Sequence, residues 1–482
     1  MPLRAFLAAL LAAAFPALAT PQPRDATDMW FDPEESGWGL NVIHQGDTLF
    51  ATLFVYGSNG QPTWFVGSAL TGGPGAYAGA LSACEGPWFG GPFSAGPVTC
   101  REVGSMRFEP GDAAAMVEYT VDGVRVAKQV RRFSFRRPSL SGTYEGYMLQ
   151  PAGGGGAEVR RDDLTFQVRD TGTSFEMDTT SDSQAPCLWR GTPGANGQLQ
   201  SVGGTFQCSG GRTGTWSMTV DPATEGLTGT FSGDGITAGR IAAARAEGEV
   251  RMQGHGWRND MWFLPGESGW GLNVIEQGDI LFATLFVYDR ERRARWYVAS
   301  SLTAQGGSSD GTLSYSGALA ESTGPYFGSA FNPAAVMRRE VGTMLLTTRA
   351  DGTASLGYTV DGVQVTKQLQ RFAFRKQDFS GSYIGSYEHD RQAVIVIDDS
   401  GAEFRMRLED RFGGMGICDF VAPSAQVGSL RTMTGTYSCT TRSGTFTMRH
   451  ATVSAHGFTA RFDSPMFAFR SFVDGHISGA RQ

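Results

Sequence analysis

Residues Asp28–Tyr56 read DMWFDPEESGWGLNVIHQGDTLFATLFVY, and Asp260–Tyr288 read DMWFLPGESGWGLNVIEQGDILFATLFVY. The two differ only at Asp32/Leu264, Glu34/Gly266, His44/Glu276 and Thr48/Ile280. A recurrence this close within one chain marks a tandem duplication. The stretch also sets the fold class. Leu49–Tyr56 follows a Gln45-Gly46-Asp47 turn and reads as the second arm of a hairpin. Leu49, Leu53 and Val55 share one face; Phe50, Phe54 and Tyr56 share the other. A strand with one wet face alternates polar and apolar residues. This one is apolar on both faces, so both need cover. The cover is either the core on one side and a neighbouring segment on the other, or a partner chain; packing between the two segments of one half is the favoured expectation.

The rest of each half continues the pattern. Strand-like runs at Trp38–Ile43, Thr63–Leu70, Tyr77–Ala83, Thr99–Phe108, Ala114–Val121 and Val124–Phe135 alternate with turns bearing Gly, Pro or Asn. Asp122-Gly123 recurs as Asp361-Gly362. It is a strong hairpin signal, because a type I′ turn needs residues that tolerate positive φ. A second segment opens with Ser141-Gly142-Thr143-Tyr144-Glu145-Gly146, matched at Ser380–Gly385. It carries further runs, among them Cys187–Gly191 and Gly204–Cys208. Beyond the N-terminus, only Ile241–Glu249, rich in Ala, Glu and Arg, allows a helix. The expected fold is all-β, a tandem duplication of a unit made of two antiparallel β-meander barrels or sandwiches. The expected segments are 24–137, 138–245, a linker at 246–260, then 261–376 and 377–482. The Ser-Gly-x-Tyr-x-Gly openings and hairpin runs resemble the meanders of streptavidin-type and lipocalin-type barrels.

The motif W-x-x-P-x-E-S-G-W-G stands at Trp30–Gly39 and Trp262–Gly271. It resembles the signature of a recurrent group of exported bacterial proteins. The resemblance covers the first segment of each half. It implies a bacterial, exported protein and brings no catalytic residues with it.

The N-terminus points the same way. Arg4 precedes the apolar run Ala5–Phe15, and Ala17-Leu18-Ala19 fits a small-x-small cleavage pattern. Residues 1–19 therefore read as a signal peptide cut after Ala19. The apolar run is shorter than the ~20 residues that a membrane span needs. A periplasmic or extracellular location follows, with no membrane-spanning segment expected. A net charge of −7 over 482 residues argues against nucleic acid as the main partner, and the basic runs at Arg131-Arg132, Arg136-Arg137 and Arg290–Arg295 are short.

Six cysteines fit an oxidising compartment. Cys187 and Cys208 are 21 apart, as are Cys418 and Cys439, at matching places in the two halves. Cys84 and Cys100 occur in the first half only. Aligning Gly86–Phe93 (GPWFGGPF) with Gly324–Phe331 (GPYFGSAF) puts Ser322 and Arg338 at those two positions. Three disulfides are expected, Cys84–Cys100, Cys187–Cys208 and Cys418–Cys439. No C-x-x-C or histidine spacing calls for a metal, and nothing calls for a cofactor.

Glu35-Ser36-Gly37-Trp38-Gly39 has two readings. Its glycines permit a sharp corner or a close approach to other backbone. As a corner, Trp38 closes a barrel end and Glu35 is tied to a nearby base. As a rim, Trp38 stacks on a sugar or another flat ligand and Glu35 accepts hydrogen bonds. Glu267 and Trp270 repeat the arrangement. Alternation along Val126–Phe135 puts Lys128 and Arg132 on one face with Val126 and Val130, and Lys367 and Arg371 repeat this. These cations either pair with Glu35, Glu102 or their equivalents, snorkel to water, or make an interior spot for an anionic ligand. The candidate ligand-binding residues are therefore Glu35, Trp38, Lys128 and Arg132, with Glu267, Trp270, Lys367 and Arg371.

No catalytic residue is assigned. Ser36 lacks a nucleophile-elbow context, and glycoside hydrolysis usually needs two carboxylates. His44 becomes Glu276 in the second copy. Three functions stay open. One is a binding or scaffold protein for a glycan, a cell-envelope component, a small anionic ligand or a protein. The second is a hydrolase using Glu35 and Glu267. The third is a structural, adhesive or inhibitory protein.

Overall fold

The computed structural model describes residues 25–482 except 74, 112–113, 152–158, 181–184, 222–223, 225, 235, 246–257, 308–311, 388–390, 400–401, 411–415 and 465–474. Residues 1–19, expected to be a signal peptide, and most of the expected linker at 246–260 lie outside the described residues. Eight strands build the first barrel: β1 (Asp28–Phe31), β2 (Gly39–Gln45), β3 (Thr48–Tyr56), β4 (Pro62–Gly73), β5 (Ala76–Glu85), β6 (Thr99–Pro110), β7 (Ala114–Val121) and β8 (Val124–Arg132). Each pairs antiparallel with the next, and β1 closes on β8 at Trp30↔Arg132. The second barrel runs from Gly142 to Arg245, the third from Asp260 to Arg371 and the fourth from Gly381 to Arg481, each with eight strands and each closed. Closure decides for barrels over sandwiches, although the seam of the first barrel is short, Trp30↔Arg132 and Phe31↔Arg131.

The alternation in β8 shows why the sheet curls inward. Val126, Val130 and Arg132 are buried, while Ala127, Gln129 and Arg131 are exposed. The outer wall carries ion pairs such as Arg101–Asp122, Arg107–Glu109 and Arg125–Glu118. Apolar inside and polar outside is the reverse of a lipid-facing barrel. Asp122 and Gly123 have φ of 46° and 82°, as a type I′ turn requires.

One device seals the base of all four barrels. Trp30 Nε1 donates to Ala26 O at 3.0 Å, and the Arg132 guanidinium lies 4.6 Å over the Trp30 ring. Trp262 with Arg371, Tyr144 with Arg245 and Tyr383 with Arg481 repeat it, at 4.5, 4.9 and 4.8 Å. In each, the ring of the first strand bonds back to the carbonyl four residues upstream, and the last strand supplies the cation. The stacked cation thus ties the ends of the sheet together.

The three disulfides join residues directly opposite each other on paired strands: Cys84–Cys100, Cys187–Cys208 and Cys418–Cys439. In the third barrel Ser322 pairs with Arg338 at the register position of Cys84–Cys100.

Three expectations need correction. The outer face of β3 is covered by the third barrel, not by the second segment of its own half. Phe54 packs on Phe286 and Trp296, and Tyr56 on Trp296. Periodicity shows that a face is covered without showing by what. Second, the described part of Ile241–Glu249, residues 241–245, is not helical, and residues 246–249 lie outside the described residues. The first five residues of this stretch end the strand Ile236–Arg245, and Ala242 and Ala244 pack with Tyr147, Ile384 and Ala480 between the second and fourth barrels. The small side chains serve close approach there. Third, the runs at Cys187–Gly191 and Gly204–Cys208 extend to Cys187–Asn196 and Leu199–Cys208, paired along their whole length. Gly191, Pro193, Gly194, Gly203 and Gly204 masked the strand pattern.

Candidate functional site

Connections β1–β2, β3–β4, β5–β6 and β7–β8 meet at one end of the first barrel, its mouth. Pro33 starts a short 3-10 turn, Pro33–Glu35, capped by Asp32, whose side chain accepts from Glu34 N at 3.0 Å. The turn aims Glu35 inward. Its Oε1 lies 2.6 Å from Lys128 Nζ, and its Oε2 accepts from Trp38 Nε1 at 3.2 Å. Tyr119 lines the same space; burial first, and the Glu35 charge second, push its hydroxyl well above the usual tyrosine range. The third barrel repeats the cluster with Glu267, Lys367, Trp270 and Tyr358. There Lys367 Nζ is 2.8 and 2.7 Å from the two Glu267 oxygens, and Trp270 Nε1 donates to Oε2 at 3.1 Å. Leu264 and Gly266 replace Asp32 and Glu34, so the approach is a plain turn there, with Glu267 N donating to Leu264 O.

Each mouth is largely filled, with Glu35 and Lys128 left 17% and 23% exposed. The loop Gly324–Val336 of the third barrel closes the first. Phe327 N donates to Tyr56 O at 3.1 Å, and Gly324 N to Gly60 O at 3.0 Å. The Phe327 ring meets Phe65 and Tyr119 at 5.8 and 6.1 Å, and Phe331 stacks on Tyr56 at 6.4 Å. The β5–β6 loop returns the contact. Phe89 N donates to Tyr288 O at 3.1 Å, and the Phe89 ring meets Tyr297 and Tyr358, each at 6.0 Å. The space left around Glu35, Trp38 and Lys128 is about 10 Å³, and that around Glu267, Trp270 and Lys367 about 20 Å³. That is room for about one water.

This closure explains the glycines of the signature. Gly37 has φ +128° and its carbonyl accepts from the Tyr56 hydroxyl. A Cβ on Gly37 would lie 2.6 Å from Val336, on the incoming loop. Gly269, at φ +114°, meets Val98 in the same way, at 2.6 Å. Glu-Ser-Gly-Trp-Gly is therefore a receptor for backbone and aromatic rings of the opposite half.

Arg132 and Arg371 do not join the mouths. They lie at the base, where Arg132 Nη1 is 3.1 Å from Asp28 Oδ2 and Arg371 Nη1 is 3.3 Å from Asp260 Oδ2. Lys128 finds the expected partner, Glu35; Arg132 finds Asp28, which sequence reasoning did not single out. Asp28 also accepts from Met29 N at 3.0 Å and from Gln198 N at 2.9 Å, at the tip of the second barrel's long hairpin. Full burial pushes the Asp28 carboxyl up to about 6, although Arg132 pulls it down. Asp260 is raised to about 6 for the same reason, opposed by Arg371. The repeated DMWF was the available signal for these aspartates.

The position that differs as His44 and Glu276 also lies at the base. His44 Nδ1 is 3.7 Å from Asp25 Oδ1, while Glu276 Oε1 is 2.8 Å from Arg258 Nη1. A histidine that accepts from Ala26 N beside a carboxylate in one half is a glutamate beside an arginine in the other, so the two halves share no acid–base group at this position. The Glu35 mouth is lined by Trp38, Val55, Tyr56, Tyr119 and Lys128 with Pro325, Phe327 and Phe331, so among the described residues no second carboxylate lines it. No protein-family model matches the chain, and no curated protein matches it.

Proposed function

We propose that this protein is an exported scaffold that holds four barrels in a fixed arrangement and binds through its outer walls. The observation that carries this reading is the mutual closure of the mouths. Glu35, Trp38 and Lys128 are committed to one another and to the Phe327 loop, and Glu267, Trp270 and Lys367 to the Phe89 loop. A small anionic ligand has no cation free for it in either mouth, since Lys128 and Lys367 are ion-paired. A hydrolase needs its Glu reachable by substrate and helped by a second group; Glu35 lies beneath a loop. The leader-like N-terminus, the resemblance of the W-x-x-P-x-E-S-G-W-G motif to that of exported bacterial proteins and the three disulfides support a periplasmic or extracellular site of action. Cell-envelope polymers and proteins are the partners that suit an outer-wall binder.

The test is retention of the purified protein on a cell-envelope fraction, run beside Trp38→Phe/Trp270→Phe and Glu35→Gln/Glu267→Gln. Equal retention of all three folded proteins supports the outer-wall reading. Loss of retention in either double variant, with the fold intact by circular dichroism, returns the binding function to the mouths and overturns it.

A further inference from the structure

The contact between the first and third barrels is two-fold symmetric within one chain. Trp64 Nε1 donates to Val287 O at 3.3 Å, and its mate Trp296 Nε1 donates to Val55 O at 3.1 Å. Gln45 donates to Phe372 O at 2.9 Å and accepts from Phe374 N at 3.0 Å. Gln277 donates to Phe133 O at 2.8 Å and accepts from Phe135 N at 2.9 Å. Arg375–Asp47 is mirrored by Arg136–Asp279, with 2.6 and 2.7 Å separations. Phe50 packs on Phe372 and Phe374, and Phe282 on Phe133 and Phe135. Contacts mated in this way are the mark of an isologous interface, in which each side carries a self-complementary patch; three contacts depart from the symmetry, Asn273 Nδ2 donating to Thr52 Oγ1, Arg295 Nη1 donating to Gln61 Oε1, and Arg290 lying over the Trp88 ring.

The residues bear this out position by position. The six that line each mouth are the same in both halves: Glu35/Glu267, Trp38/Trp270, Val55/Val287, Tyr56/Tyr288, Tyr119/Tyr358 and Lys128/Lys367. The inserted loops share Gly86/Gly324, Pro87/Pro325, Phe89/Phe327, Gly90/Gly328 and Phe93/Phe331. None of the four positions that differ in the long repeat supplies a side chain to these contacts. By contrast, Tyr147 and Ser478 bridge the second and fourth barrels with no like residue at the matching place, Ser386 and Ala242.

We infer that the first barrel of either half is a self-associating module whose fitting partner is a second copy of itself, and that the covalent link between the halves is dispensable for the contact. A lone half offers the same mouth and the same Gly-Pro-aromatic-Phe loop that the intact chain uses against its other half. Recognition is by aromatic insertion, backbone hydrogen bonds and the paired Gln clamps.

The experiment starts from the full chain with a specific protease site inserted between residues 246 and 257. After cleavage with disulfides intact, the halves should co-elute at the mass of the intact chain at micromolar concentration. A cycle through denaturant with mass-tagged protein, read by native mass spectrometry, should then give first-half/first-half and second-half/second-half pairs beside the mixed pair. Separation into monomers overturns the inference, and so does exclusive recovery of the mixed pair. Phe89→Ser/Phe327→Ser in the same chain should weaken the cleaved complex roughly 100-fold or more. Undiminished association of that variant would place the attraction in the second and fourth barrels and equally overturn it.

Discussion

Lys128 Nζ stands 2.6 Å from Glu35 Oε1, beneath a loop contributed by the opposite half. One carboxylate thus joins β8, the β1–β2 connection and, through Trp38, the floor on which Phe327 rests. Removing one partner leaves the other charged in a poorly hydrated space, which is more harmful than removing both. Glu35→Gln and Lys128→Met should each lower the unfolding free energy by about 1–3 kcal/mol, and the double variant by less than the sum. Urea denaturation of the four proteins closes the cycle; strictly additive losses would show the pair to be uncoupled.

Gly37→Ala should act through two separable effects. The residue would be strained at φ +128°, and its Cβ would meet Val336 at 2.6 Å. A loss of about 2 kcal/mol or more is expected from strain and overlap together. Combining it with Val336→Ala should restore the steric part only. Thermal melts of the single and double variants measure the split, and full rescue would mean that the backbone adjusts freely.

Asp28 predicts a pH dependence whose sign is fixed. Its folded carboxyl titrates at about 6, above the ordinary 3.8, because burial disfavours the charge. The native state therefore holds its proton more tightly than the unfolded chain. The stability from this group is fully present below pH 4 and is lost as pH rises through 6. Asp28→Asn, which cannot titrate, should cost most at pH 4 and progressively less towards pH 7. Parallel urea midpoints at pH 4, 5, 6 and 7 test this; a gap that widens with pH would reverse the assignment.

The Cys84–Cys100 bridge should be the most dispensable of the three. The third barrel closes with Ser322 and Arg338 in the same register. Cys84→Ser/Cys100→Ser should leave a folded protein, whereas Cys187→Ser/Cys208→Ser, which opens a 21-residue loop, should lose about 3 kcal/mol. Guanidinium midpoints under non-reducing conditions rank them, and equal losses would contradict the comparison.

Much of this architecture was legible in the chain. The two apolar faces of Leu49–Tyr56 required cover on both sides, and Asp122-Gly123 marked its hairpin through the φ its turn demands. The matched cysteine spacings gave two bridges and the joint absence of Cys84 and Cys100 from the second half gave the third; alternation put Lys128 and Arg132 on one face with Val126 and Val130 and left pairing, snorkelling and an interior site all open. Alternation fixes a face but not a depth, so it could not separate Lys128 at the mouth from Arg132 at the base. The β5–β6 loop was the larger omission. Gly-Pro-Trp-Phe-Gly-Gly-Pro-Phe has the composition of a surface turn, and its binding site is made by residues such as Trp270 and Tyr358, far along the chain. A loop whose partner is remote leaves no local periodicity. Asp28 was hidden for a related reason, since it meets Gln198 on a hairpin that glycines disguised.

The exchange of loops between the halves also sets a timetable. Chains are made N-terminus first, at about 5–20 residues per second. The first barrel has all its strands once Arg132 has emerged, but the loop that closes it ends at Val336. At that pace the closing loop is made roughly 10–40 seconds after the last strand of the barrel it covers. A maturing polypeptide of this design passes through an obligatory uncapped stage, and it is then, rather than in the finished molecule, that it most needs a chaperone's shelter.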